Sequence, residues 1–240
     1  MRRLLMFLPA LVLAGMISAP AFTNPKDSDK DAAEDRAKQT EKINAAEAVL
    51  KASVAAPDKG IPKDLLEKAE CVGIFPDMKK GAFIIGGQGG KGVFTCRHGQ
   101  GMSGPAFFKI GGPSIGWQAG FEEADLVLLI MNKEGVDKLL QDNFTIGGEA
   151  SAAAGPVGRD ARASTDILMH AQMLSWSRSR GLFAGVSLNG LVIHQDRDDN
   201  VDLYGRPLDA RDILTSGSVP IPVIAKSFVD TTTRYTKRAS

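Results

Sequence analysis

A chain of 240 residues, 43% hydrophobic and 24% charged, is long enough to bury a core of its own, and it reads as one globular domain with a modest extension. Its formal charge of +1 lacks the basic excess that nucleic-acid binding needs. With 26 glycines and only 6% aromatic residues, tight strands and turns are favoured over a helical bundle.

The first predicted element is a leader. Arg2 and Arg3, an apolar run from Leu4 to Ile17 and the small-x-small triplet Ala19-Pro20-Ala21 make residues 1–21 a secretory signal peptide, cleaved near Ala21. Cleavage leaves 27 basic residues (29 − 2) against 28 acidic ones, so the mature chain is nearly neutral and is expected in the periplasm or secreted. Met16 stands where a lipidated cysteine would be required after Leu13-Ala14-Gly15, which argues against a lipid anchor. Residues 22–60 form an N-terminal helical extension. Ile43, Leu50 and Val54 recur at near-helical spacing, predicting a helix from about Asp29 to Ala55 that stops before Pro57. Its charges between Lys26 and Lys42 are mixed, which fits a solvated helix covering a sheet better than one inserted in a membrane. Pro62 opens a short helix through Ala69.

From Cys71 the period falls to two. Strands are expected at residues 71–75, 82–88 and 91–97, with a corner at Gly89-Gly90, and then at 105–110, 114–121 and 125–131. Asn132 caps a helix over residues 133–141. Gly155 to Gly158 reads as a type I turn delivering Arg159 to a strand end. Residues 173–178, 182–188 and 191–195 then form a three-strand meander, with a type I′ turn at Asn189-Gly190. A helical turn at 209–214 and a last helix at 223–235, buried through Ile224, Phe228 and Val229, complete the chain.

Three blocks carry a resemblance: FPDMKKGAFIIGGQGGKGV (75–93), GGEASAAAGPVGR (147–159) and SWSRSRGLFAGVSLNG (175–190). In order and spacing they resemble the SYLF (Ysc84-type) domain of eukaryotic membrane-associated adaptors and secreted bacterial proteins, from about Lys68 to the C-terminus. The resemblance makes residues 61–240 the SYLF-like domain. It implies lipid binding, especially of phosphoinositides in the eukaryotic members, with actin-related partners in the fungal ones. It also implies a structural role for the Asn-x-x-x-Tyr-Gly run formed by Asn200, Tyr204 and Gly205. The family's Trp-Ser-Ala-Pro is replaced by Met102-Ser103-Gly104-Pro105.

No pattern of residues argues for catalysis. Gly87 to Gly92 spells G-x-G-x-x-G, but a strand follows where a dinucleotide site needs a helix, so a hairpin is the better reading. Asp196 to Asp202 begins like a calcium loop, yet Val201 and Pro207 occupy the required glycine and glutamate positions; a polar turn is expected instead. His98, His170 and His194 share no metal-ligand spacing, and Ser103 is not set in a nucleophile elbow. Neither a metal nor a cofactor is expected. Cys71 and Cys96, at the start of the first strand and the end of the third, are expected to pair as a disulfide after an antiparallel return.

The cations Arg159, Arg162, Arg178, Arg180, Lys226 and Arg234 remain as site residues. Exposed arginines commonly serve solubility alone; guanidinium forks also match phosphate, and the resemblance adds weight to that use. The expected fold is α+β: a strongly curved, mainly antiparallel sheet, barrel-like if its edges close, flanked by helices. The expected function is non-catalytic binding of anionic lipid headgroups at a membrane surface. The alternatives are an envelope structural or protein-interaction module and, behind it, an unrecognised hydrolase.

Overall fold

The computed structural model describes residues 25–56, 60–82, 86–114, 120–157, 171–179 and 181–238. In chain order the elements are α1 (Pro25–Ala55), α2 (Lys63–Lys68), β1 (Cys71–Ala82), β2 (Gly86–His98), β3 (Gly101–Met102), β4 (Ala106–Ser114) and β5 (Gly120–Ile130). There follow α3 (Lys133–Leu139), β6 (Asn143–Thr145), β7 (Ala152–Ala154), β8 (Met173–Ser179), β9 (Leu182–Gly185) and β10 (Val192–Gln195). The chain ends with α4 (Arg197–Tyr204), α5 (Ala210–Thr215), a 3-10 turn at Val223–Ala225 and α6 (Lys226–Thr236).

The strands form one sheet in the order β6-β10-β4-β2-β1-β5-β8-β7, with β3 added to β2 and β9 to β8. The pairings are antiparallel except β7 against β8. The two outermost strands, β6 and β7, are consecutive in the chain, ending at Thr145 and starting at Ala152. Seven inter-strand gaps laid flat would measure roughly 34 Å, beyond the roughly 25 Å that seven extended residues reach. The sheet therefore curls into a half-barrel, and the expected α+β class with a strongly curved, mainly antiparallel sheet is the one observed.

Both faces are buried. On the inner face Phe75, Phe94, Phe108, Leu126, Leu128, Phe144 and Ile193 form one cluster, closed by Ile213 and Leu214 of α5. On the outer face Val72, Ile74, Val93, Phe107, Val127 and Trp176 meet Ile43 and Leu50 of α1, Leu66 of α2 and Phe228 of α6. The two clusters alternate along each strand as the pleat demands. Thus α1 covers the sheet with its second half, while its described side chains from 33 to 38 are mostly exposed.

Several expected boundaries move. Gly89 and Gly90 lie inside β2, paired with Lys79 of β1 and with Gly111 and Ile110 of β4, and make no corner. Glycine in these strands supplies space instead: a Cβ at Gly73 would stand 2.2 Å from the Phe94 ring, and one at Gly92 would stand 2.5 Å from Phe75. β1 outruns its expected end at Phe75, because the pairing register shifts between Phe75 and Met78 and lets the strand pass Pro76. β5 is continuous from Gly120, and most of the strand expected at 114–121 lies outside the described residues.

The meander is also corrected. β8 and β9 pair as expected, but β10 pairs with β4 and β6, on the other side of the half-barrel. A turn does form, with Leu191 N–H donating to Leu188 O at 3.1 Å. Only Gly190 has positive φ (87°), whereas a type I′ hairpin needs it at both central residues. The chain therefore crosses to the opposite edge. Asn132 caps α3 by accepting from Gly135 N at 2.9 Å, and the polar segment after Asp196 winds into α4.

Candidate functional site

The predicted cations separate. Arg159, Arg162 and Arg180 lie outside the described residues. Arg178 is committed: its Nε donates to Asp125 Oδ2 at 2.7 Å, and its guanidinium lies 5.5 Å from the Phe183 ring centroid. Asp125 also accepts from Asp77 N at 3.1 Å, so the pair pins the irregular stretch of β1. Lys226 and Arg234 are exposed on α6 and make no hydrogen bond or ion pair among the described residues. They stand on one outward row, Lys226-Asp230-Arg234, spaced four apart. Val223, one turn before Lys226, is 80% exposed. An apolar tip and two free cations thus share one side of the C-terminal segment.

Beneath that surface the helix is firmly docked. Glu47 of α1, 6% exposed, accepts from Ser227 Oγ and Thr231 Oγ1 of α6, each at 2.9 Å, and pairs with Lys51 at 2.6 Å. Burial would raise its carboxyl, but the hydrogen bonds from Lys51, Thr231 and Ser227 outweigh that and hold it below the ordinary carboxylate range. Arg97 closes the other end: its Nη2 donates to Glu67 O at 3.1 Å, Ala69 O at 2.9 Å and Thr236 O at 3.0 Å. One guanidinium therefore serves terminal carbonyls of both α2 and α6. Cys71 and Cys96 are directly opposed in register and form the expected disulfide, next to this anchor.

Ser103, Asn200 and Tyr204 hold backbone. Ser103 Oγ accepts from Cys96 N at 3.1 Å and donates to Gly104 O at 2.9 Å; no histidine is among its hydrogen-bond partners. Asn200, fully buried, accepts from Phe107 N at 2.7 Å. Tyr204 Oη donates to Pro105 O at 2.9 Å, and burial raises its phenol well above the ordinary range. His98 and His194 are exposed, and His170 lies outside the described residues.

The Asp196 carboxylate sits between Lys109 and Lys91, each at 2.8 Å, and Lys91 also reaches Asp199 at 2.9 Å. Burial opposes ionisation of Asp196, yet the hydrogen bonds from Lys109 and Lys91 prevail and keep its carboxyl low. Asp199 moves the other way, raised by burial and by the neighbouring Asp196 charge despite Lys91. Lysine ammoniums thus fill the place beside these carboxylates that a calcium ion would take, and no group of metal-ligating side chains occurs among the described residues.

The sequence profile of the Ysc84 family, described as "Las17-binding protein actin regulator", matches residues 111–235, just over half of the chain. The chain belongs to the Ysc84 family. The rat SH3 domain-containing YSC84-like protein 1 is 32% identical over 184 residues, covering 76% of this chain and 54% of the rat protein. An SH3 domain-containing protein of Schizosaccharomyces pombe is 37% identical over 169 residues, 69% of this chain and 39% of its own length. LAS seventeen-binding protein 3 of Saccharomyces cerevisiae is 33% identical over 175 residues, 71% of this chain and 38% of its own. This Ysc84 chain therefore spans about half, or less, of the relatives it matches.

The blocks that carry the resemblance have structural reasons. The small residues at 150–155 lay β7 over Trp176: a Cβ on Gly155 would come 2.1 Å from its indole, whose Nε1 donates to Pro156 O at 3.0 Å. Asn200 and Tyr204 tie α4 to β4 and to the chain before it, and Gly205 ends α4 with a positive φ of 68°, a structural role for all three as the resemblance implies. Arg97 and Glu47 were missed by sequence reading, since nothing local marks a cation or carboxylate that fixes a helix more than 100 residues further along the chain.

Proposed function

We propose that this Ysc84-family chain binds anionic lipid headgroups at a membrane surface and performs no catalysis. One observation carries the reading: Val223 stands out from the surface one turn before Lys226, at the start of an outward row, Lys226-Asp230-Arg234, whose two cations are unpaired among the described residues, on a helix otherwise fixed to the domain. An apolar point followed along one row by exposed cations suits an interface where phosphates lie over hydrocarbon. Arg159, Arg162 and Arg180 keep their place in the reading on sequence grounds. Arg178 leaves it, because its charge is already matched by Asp125. We further propose that residues 1–21 are removed on export, placing the mature chain in the periplasm or outside the cell; the mass of the mature N-terminus tests that.

The experiment is flotation with phosphatidylcholine vesicles with and without phosphatidylserine. The wild type should float only with the anionic lipid, and less as salt rises, since exposed charge is screened over about 10 Å at 0.1 M. Lys226→Glu with Arg234→Glu should abolish flotation while unfolding stays within about 0.5 kcal/mol, as for exposed substitutions generally. A normally folded double mutant that still floats moves the site away from α6. A wild type that never floats favours the second reading, a protein-interaction module, which the name of the Saccharomyces relative supports.

A further inference from the structure

At one end of the inner core the half-barrel holds a cavity of about 150 Å³. Its apolar wall comes from Met78 of β1, Leu126 of β5, and Val186 and Leu188 after β9. Gln88, Ser177 and Ser179 line it as well and bring polar groups to the same space, while Lys79, next to Met78 along β1 and opposite Glu123, turns its side chain to the other face of the sheet. The space arises from a fall in side-chain size along the inner faces of β5 and β8, and of β2 as far as Gly90, before Gln88. In β2 the inner positions run Phe94, Gly92, Gly90; in β5 they run Leu128, Leu126, Ala124; in β8 they run Met173, Ser175, Ser177, Ser179. Deeper in, Phe75, Phe94 and Phe108 pack edge to face and leave no such room. Unfilled apolar space weakens a core in proportion to its volume, so small residues on β5, on β8 and, across β1, on β2 suit a site that something else fills.

We propose that this cavity binds the end of an aliphatic chain, with the polar Gln88, Ser177 and Ser179 beside its head. Apolar cavities of about this volume admit a group of about six carbon atoms, which sets the ligand class as short aliphatic chains with a polar head, or the leading carbons of a lipid tail. The inference deepens the lipid reading by giving it a second contact, buried in the half-barrel and separate from the α6 surface.

The test titrates the purified chain, labelled with 13C at methionine methyls, with butanoate, hexanoate, octanoate and decanoate. The Met78 methyl should shift, and the Met102 and Met173 methyls should not. Affinity should rise about fourfold per methylene, the worth of one buried methylene, and level off past about six carbons. Ser177→Leu should abolish the Met78 shift and Ser177→Ala should keep it; Ala124→Val serves as the filling variant if the leucine does not fold. A flat dependence on chain length, or an unchanged titration in a folded filling variant, overturns the proposal. Vesicle flotation with no Met78 titration overturns the cavity alone. Met78 titration without flotation supports the cavity and removes the membrane-surface reading.

Discussion

Asn200 concentrates much of the fold's polar specificity in one side chain, because its amide answers both the N–H and the C=O of Phe107 inside the core. Asn200→Ala should leave Phe107 N–H buried without a partner, while Phe107 O keeps Asp196 N at 2.9 Å, and should cost about 1–3 kcal/mol. Asn200→Asp should do no better, since a carboxylate cannot donate to Phe107 O and would bury a charge. Urea unfolding of the two variants measures this, and loss of less than about 0.5 kcal/mol in either would remove Asn200 from its role. Gly155 is the steric counterpart. Gly155→Ala should displace Trp176 and cost about 1–3 kcal/mol as overpacking does, read as an altered near-ultraviolet tryptophan signal with a lower melting temperature.

At the scale of elements, α6 is held at its middle by Glu47 and at its end by Arg97. Because the folded Glu47 carboxyl titrates below its unfolded value, the stability it supplies is complete above the unfolded pKa of about 4.3 and is lost as pH falls through the folded one. Glu47→Gln should therefore be less stable than wild type at neutral pH and should lose less stability on acidification, measured by urea unfolding across that range. Arg97→Lys should also destabilise, by about 2 kcal/mol, since one ammonium cannot reproduce a planar fork shared among three carbonyls. Sequence made local devices legible: the Asn132 cap, the Pro62 helix start, the β8–β9 hairpin and the antiparallel return that joins Cys71 to Cys96. It misled where a residue's use depends on a distant neighbour. Gly89 and Gly90 resembled punctuation, and Arg178 resembled a free cation because Asp125 lies 53 residues before it.

For the whole molecule, the curl and the two-sided core make the sheet the cooperative unit, with α1 and α6 laid over its outer face. The Cys71–Cys96 bond closes a loop with a sequence separation of 25 residues and should add about 3 kcal/mol through the unfolded chain. Melting with and without a reductant should reveal that difference, whereas an unchanged midpoint after verified reduction would show that the bond is idle. Hydrogen exchange should be slowest in β1, β2 and β5, which are paired on both sides, and fastest in the first half of α1, whose described side chains touch little of the core.

The position of β10 also sets an order of events during synthesis. It fills the place between β4 and β6, yet it is the last strand to be made. From Ser114, where β4 ends, to Gln195, where β10 ends, the ribosome must add 81 residues (195 − 114), roughly 4–16 s at ordinary elongation rates. Throughout that interval the edge beside Phe108 and Ile110 has no partner, and an open apolar edge is an invitation to wrong pairing. A nascent chain of this kind gains from a holding factor until residue 195 has emerged, and a truncation just before β10 should aggregate where one just after it does not.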